Sequence, residues 1–142
     1  MESAPGYSGH TILVVDSEER VFDAVSRTFA EDGYATLWAE TGRRAVAVAA
    51  SRKPDVIILD VYLSDGCGLD VMRDLQMVCS DAPIIILTGC GSPDTARGAM
   101  EAGVFDYLTK PFEPRDLRTV VRNALEAGRV LMDCVEDNYA RS

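Results

Sequence analysis

Short runs of branched aliphatic residues alternate along the chain with longer stretches in which apolar residues return every three or four positions. Ile12 to Val15 is apolar at every position and reads as a first strand; Val21, Phe22, Val25 and Phe29 follow at helical spacing until Gly33. Thr36 to Ala39 is a weaker second strand. Thr41-Gly42 opens an Ala/Val-rich helix that must end before Pro54, and Val56 to Leu59 is a third strand, again apolar throughout. Leu69, Met72, Leu75 and Met77 predict a third helix. Pro83 precedes a fourth strand, Ile84 to Leu87, and Ser92-Pro93-Asp94 reads as an N-cap with proline at the first helical position, in a helix closed by Gly103. The fifth strand is expected at Val104 to Leu108. A last helix starts near Pro114, with Leu117, Val121, Ala124, Leu125 and Leu131 on one side.

A sheet with one wet face alternates apolar and polar residues, whereas these strands are apolar without interruption, as in a parallel sheet covered on both faces. The expected fold is therefore a doubly wound (βα)5 flavodoxin-like α/β domain, its five-stranded parallel sheet in the order 2-1-3-4-5 with helices on both faces. In that order a site lies at the carboxyl ends of the strands, around the first and third. The domain is expected over residues 11–127, with a loose tail at 1–10 and a helical extension or linker at 128–142. From the last helix into that extension Leu117, Val121, Ala124, Gly128, Leu131 and Val135 keep a four-three spacing, the pattern of a dimer seam.

Composition narrows the class. With 142 residues, 47% of them hydrophobic and 26% charged, the chain has the makings of one ordinary core. Fourteen Lys and Arg against 23 Asp and Glu leave a net charge of −9, which argues against direct nucleic-acid binding. The apolar runs, such as Ala45 to Ala50 and Ile84 to Leu87, are far shorter than the roughly 20 residues a membrane span needs. The first ten residues hold no basic residue and no apolar stretch, so no secretory signal is expected. Cys67, Cys79, Cys90 and Cys134 form no C-x-x-C pair and have only His10 to share a metal with; free thiols in a cytoplasmic protein are the expectation.

A polar residue ends each strand that borders the expected crevice: Asp16, Asp60, Thr88 and Lys110. Singly, each has an ordinary explanation as a strand's exit to water. Together they place two carboxylates, a hydroxyl and an ammonium in one crevice. Close carboxylates repel unless a cation lies near. Oxygen ligands without histidine or thiolate suit a hard ion, which makes Mg2+ the candidate. A carboxylate can also be the covalent acceptor of a phosphoryl group, whose transfer depends on positioning and charge neutralisation, tasks for Lys110 and Thr88.

The motifs Ile12-Leu13-Val14-Val15-Asp16, Asp55-Val56-Ile57-Ile58-Leu59-Asp60 with Asp65-Gly66-Cys67-Gly68-Leu69, Ile86-Leu87-Thr88-Gly89, and Asp106-Tyr107-Leu108-Thr109-Lys110-Pro111-Phe112 resemble the receiver domain of bacterial two-component response regulators. The resemblance implies that Asp60 accepts a phosphoryl group from a sensor histidine kinase, and that Asp16, Asp60 and the backbone carbonyl of Tyr62 hold Mg2+. It makes Thr88 and Tyr107 the switch pair, Lys110 the phosphate-binding lysine and Lys110-Pro111 a cis bond. It further implies a homodimer through helix four, strand five and helix five, and an output domain or partner that the motifs do not name. The stretch Thr88 to Ala96 is most similar to receivers of sigma-54-dependent activators.

Two positions depart from the family pattern. Ser17 stands where a second acid is usual, with Glu18 one residue later, so Ser17 and Glu18 are the weaker metal candidates; Ser64 stands where proline is usual. Ser17 keeps open a pseudo-receiver, an interaction module that works without phosphorylation. A nucleotide or flavin binder is disfavoured, because the loop Asp16-Ser17-Glu18-Glu19-Arg20 is acidic where such a protein cradles phosphate. An aspartyl phosphohydrolase with Asp16 as nucleophile would leave the motifs at Asp60 and Thr88 without a role.

Overall fold

The computed structural model describes residues 9–141, with side chains placed for residues 9–127. In chain order the elements are β1 (Thr11–Val15), α1 (Glu19–Ala30), β2 (Ala35–Ala39), α2 (Gly42–Arg52), β3 (Val56–Leu59), β4 (Tyr62–Leu63), β5 (Gly66–Cys67), α3 (Gly68–Val78), β6 (Ile84–Thr88), α4 (Pro93–Glu101), β7 (Asp106–Thr109) and α5 (Pro114–Arg141). Five strands form one parallel sheet in the order β2-β1-β3-β6-β7, the expected 2-1-3-4-5 once the short β4–β5 hairpin is set aside.

The uninterrupted apolar strands divide their side chains between two cores. Leu13, Val15, Ile57, Leu59, Ile84 and Ile86 meet Ala45, Ala49, Met72, Leu75 and Ala99 on one face. Ile12, Val14, Val56, Ile58, Ile85 and Leu87 meet Val25, Phe29, Leu117, Val121 and Ala124 on the other. Two-residue alternation in a strand sends neighbours to opposite faces, and here both faces are dry. Across the second face Arg118 donates from Nε and Nη2 to the Thr28 carbonyl, at 3.2 and 3.0 Å, and ties α5 to α1.

The caps follow the sequence. Thr41 accepts a bond from the Arg44 amide at 3.0 Å, and Ser92 accepts one from the Thr95 amide at 3.1 Å with Pro93 opening α4. Three details differ from expectation. Met77 is 77% exposed, since Met72, Leu75 and Cys79 share the buried stripe and Met77 lies about half a turn away from it. The last strand begins at Asp106, because the Val104 amide still closes the preceding helix on the Ala99 carbonyl. The β4–β5 hairpin was not anticipated, its two-residue strands being too short to show a period.

Among the described residues no helix is long and apolar enough to cross a membrane. The helix α5 runs through the expected domain end at 127. The side chains of the expected seam beyond it, Gly128, Leu131 and Val135, lie outside the described residues, as do Cys134 and most of the expected N-terminal tail.

Candidate functional site

Adjacent parallel strands end side by side, and the chain uses this to gather its polar residues. The Asp60 amide donates to the Val15 carbonyl at 2.9 Å, and the Lys110 amide donates to the Thr88 carbonyl at 2.9 Å. The order β1-β3-β6-β7 therefore sets Asp16, Asp60, Thr88 and Lys110 along one carboxyl edge. Lys110 Nζ donates to Asp16 Oδ2 at 2.6 Å and to Asp60 Oδ2 at 3.1 Å, bridging the two acids. The side chains are only 17%, 3% and 9% exposed respectively, so these are desolvated charges. Thr88 is fully buried, and its Oγ1 accepts a long bond from the Cys90 amide at 3.4 Å. The Lys110-Pro111 bond is cis.

The two carboxylates are not equivalent. Asp16 has both oxygens in short bonds, Oδ2 with Lys110 and Oδ1 with the Glu18 amide at 2.9 Å. Asp60 is held by longer ones, from Lys110 and from the Tyr62 amide to Oδ1 at 3.3 Å, and it borders the groove beside the site. Burial pushes the Asp16 carboxyl above its ordinary range, and the hydrogen bond and charge of Lys110 only partly offset that. Burial acts to lower the Lys110 ammonium, but the bond and charge of Asp16, with the charge of Asp60, hold it above its ordinary value. With both acids ionised the trio carries 1 − 2 = −1, a charge that favours a cation.

Among the described residues no cluster of three or more His, Cys, Asp and Glu side chains is arranged to hold a metal. Ser17 is the reason in the first loop: it is exposed on the groove wall and contributes a hydroxyl. Glu18 is turned to solvent, its carboxylate paired with Arg20 at 2.9 Å, and it makes no side-chain cap to α1. Two carboxylates, a nearby backbone carbonyl and water still fit Mg2+, which keeps several waters and binds through one or two carboxylates. Tyr62 stands at the rim, 55% exposed.

The chain behind Asp60 is closely built. The Gly68 amide donates to the Val61 carbonyl at 2.5 Å, and a Cβ at Gly68 would collide with the Asp60 carbonyl. Asp65, in the hairpin turn, accepts bonds from the Gly42 and Arg43 amides at 2.9 and 3.1 Å, joining the Asp60 loop to the positive end of α2. The Gly42 bond foremost holds its carboxyl below the usual range. A depressed folded value means that this carboxylate stabilises the fold fully above its unfolded pKa, about 3.9, and loses that contribution as pH falls through the lower folded value. Asp65→Asn is thus expected to lower the urea midpoint at pH 6 and to differ less from the parent as the medium is made more acid; a difference that does not shrink on acidification would contradict it.

Tyr107 lies with its hydroxyl buried beneath the loop after β6, beside the Ser92 amide but outside hydrogen-bonding geometry. Burial pushes the phenol up. Room for it comes from Gly91, where a Cβ would stand 2.5 Å from the Tyr107 hydroxyl oxygen. Tyr107 itself is half-buried, with its hydroxyl turned in behind Gly91.

A groove of about 1010 Å³ opens from Asp60, Thr88 and Lys110 past Ser17 and Glu18 to Val21 of α1 and Phe112 before α5. The structure thus brings together Asp16, Asp60, Thr88 and Lys110, sets Tyr62, Ser17 and Glu18 around them, and places Tyr107 behind Gly91. Although Gly91 and Asp65 lie within the sequence motifs, no separate role was visible for Gly91, Asp65 or Trp38. The last is a lone indole near the end of β2, where a polar residue would have been noticed.

Comparison with known proteins agrees with this fold. The chain is 37% identical, over an alignment of 139 positions that covers 88% of its length, to the phosphate regulon transcriptional regulatory protein PhoB of Pseudomonas aeruginosa, of which it spans 61%. It is 33% identical over 81% of its length to the regulatory protein AtoC of Escherichia coli, of which it spans 25%. The chain thus spans less than two thirds of the length of these relatives. Among solved structures, a response regulator receiver domain protein from Clostridium thermocellum superposes with a TM-score of 0.79 at 30% identity, covering 86% of this chain and 98% of that one. The chemotaxis protein CheY4 of Vibrio cholerae does so with 0.76 at 30% identity, covering 82% and 98%. The family model of the response regulator receiver domain matches residues 12–122, a span that holds nearly all of the sheet and its two cores, and the chain belongs to that family.

Proposed function

We propose that Asp60 is the phosphoacceptor of this receiver domain, supplied by a sensor histidine kinase, and that the surface around α4, β7 and α5 passes the change to an output partner. The observation that carries this reading is the Lys110 bridge, 2.6 Å to Asp16 and 3.1 Å to Asp60, beside the buried Thr88 hydroxyl. An Asp60 oxygen bonds to phosphorus as the P–N bond of a phosphohistidine breaks; the electron pair returns to the imidazole, which takes up a proton from solvent. Lys110 then neutralises a phosphoryl oxygen and Thr88 donates its hydroxyl to another, acting as preorganised charges in a dry site. Asp16, Asp60 and the Tyr62 carbonyl would hold Mg2+, which when bound supplies charge neutralisation between carboxylates and phosphoryl oxygens. The readout proposed is a joint rearrangement of residues 89–92 and Tyr107 as Thr88 engages the phosphoryl group, a local two-state switch.

The reading is tested by incubating the protein with acetyl phosphate and Mg2+ and measuring intact mass. A gain of one phosphoryl group supports it; none over a wide Mg2+ range favours the alternative, a pseudo-receiver, whose specific argument is Ser17. Ser17→Asp is expected to tighten Mg2+ binding by about tenfold, since a hard ion gains most from anionic oxygens. Glu18→Gln is expected to be inert, its carboxylate lying toward solvent beside Arg20. Calorimetric titration of the three proteins checks both, and an inert Ser17→Asp would show that the second acid is not limiting. A homodimer through α4, β7 and α5, a cytoplasmic location and a transcriptional output, the last suggested by PhoB, belong to the same proposal.

A further inference from the structure

Asp16 is held on three sides, and one of the holds comes from a residue with no evident chemistry. Its amide donates to the Ala39 carbonyl at 3.1 Å, continuing the β1–β2 ladder one step beyond the strand. Its carboxylate is fixed by Lys110 and the Glu18 amide. Its carbonyl accepts a hydrogen bond at 2.8 Å from the indole Nε1–H of Trp38. The indole cannot easily swing away, because its ring is stacked on Phe22 of α1, with centroids 5.7 Å apart and an interplanar angle of 15°. Trp38 therefore grips the peptide that joins Asp16 to Ser17 and braces it against the helix that follows.

A loop of acids that converges on a cation repels itself until the cation arrives, and its chain must be held by something else meanwhile. The second position of this loop is Ser17, which brings no charge to a metal and so gains little order from one. We propose that Trp38 is a positioning residue for the acidic loop, acting through the Asp16 carbonyl to keep the Asp16 carboxylate aimed at Lys110 and Asp60. This rests on the phosphoacceptor reading for its purpose, but not for its geometry. Trp38 is the sole tryptophan of the chain, so its spectroscopic signals report the state of this one loop.

The test uses the full chain. In the unmodified protein the Trp38 indole N–H should be protected from solvent exchange by NMR, and its resonance should shift as Mg2+ is added. Trp38→Phe keeps the ring stack and removes the donor. It should weaken Mg2+ binding, measured by calorimetry on unphosphorylated protein, by about three- to tenfold, the range for one neutral hydrogen bond. The rate of adduct formation from acetyl phosphate at saturating Mg2+ should change less than twofold. Phe22→Leu keeps the donor and loosens the stack, and should give a smaller loss. An indole proton that exchanges at the free rate, or Trp38→Phe with unchanged Mg2+ affinity, overturns the inference, and the exchange measurement holds even where Trp38→Phe fails to fold. The calorimetry needs no phosphoacceptor, so a misassigned Asp60 would appear as an adduct surviving Asp60→Asn while the Trp38 effect remained.

Discussion

Asp60→Asn is expected to abolish the phosphoryl adduct, with a loss of about 100-fold or more in its rate of formation, while leaving the fold in place. The carboxylate is the nucleophile in this reading, and a neutral amide oxygen is a far weaker one. Structurally the exchange is mild. The Asn carbonyl can still accept the Tyr62 amide bond, now made by Asp60 Oδ1 at 3.3 Å, and Lys110 retains its shorter bond to Asp16. Removing one of two carboxylates also relieves repulsion, so the urea midpoint should not fall by more than the equivalent of about 1 kcal/mol. Intact mass after acetyl phosphate treatment, with hydroxylamine lability to identify an acyl phosphate, reads the outcome. An adduct of undiminished yield in the variant would place the acceptor elsewhere, and Asp16 would be the next residue to test.

Lys110→Met is expected to harm both stability and chemistry. The side chain is similar in length, but the two buried carboxylates lose the ammonium that bridges them. Removing one partner of a buried ion pair leaves uncompensated charge and costs about 3–5 kcal/mol when burial is complete. Lys110 keeps some contact with water, at 17% exposure, so a loss of about 2–3 kcal/mol is the expectation here. The same variant should form the adduct about 10- to 100-fold more slowly, as a preorganised positive charge facing the developing phosphoryl charge is lost. Combining Lys110→Met with Asp16→Asn should recover part of the stability, because only one carboxylate then needs a partner, but none of the rate. Urea unfolding of the single and double variants decides the first point. Equal stability of Lys110→Met and the parent would mean that the bridge carries no energy.

The elements that the sequence made legible are those whose signal is local. Ile12 to Val15, Val56 to Leu59 and Ile84 to Leu87 are apolar at every position, and each became a buried strand with side chains divided between two cores. Thr41 and Ser92 became caps because a short side-chain oxygen before a helix has few better partners than the free amides of the first turn. The polar residues at the strand ends were also legible, since a parallel sheet brings its carboxyl ends together whatever its detail. Met77 and the start of β7 misled the local reading for the same reason. One residue's place around a helix, or one amide's choice between the helix end and the next strand, is a matter of local geometry that a pattern of residue types does not show.

What the sequence determined by itself is thus the alternation of strands and helices, the fold class it implies, and the set of acids, hydroxyl and lysine at the strand ends, because periodicity and residue chemistry are properties of the chain alone. Tertiary structure decided how those groups share their bonds. Asp16 takes the shorter bond to Lys110 and Asp60 the longer, Glu18 turns away to Arg20, Gly91 makes room for Tyr107, and Trp38 holds the Asp16 carbonyl from a neighbouring strand. Apart from the space left at Gly91 and the local pairing of Glu18 with Arg20, each is a contest among donors and acceptors that lie far apart in the chain. Such contests are won by distances of a few tenths of an ångström, which only the packing of the sheet and its helices sets.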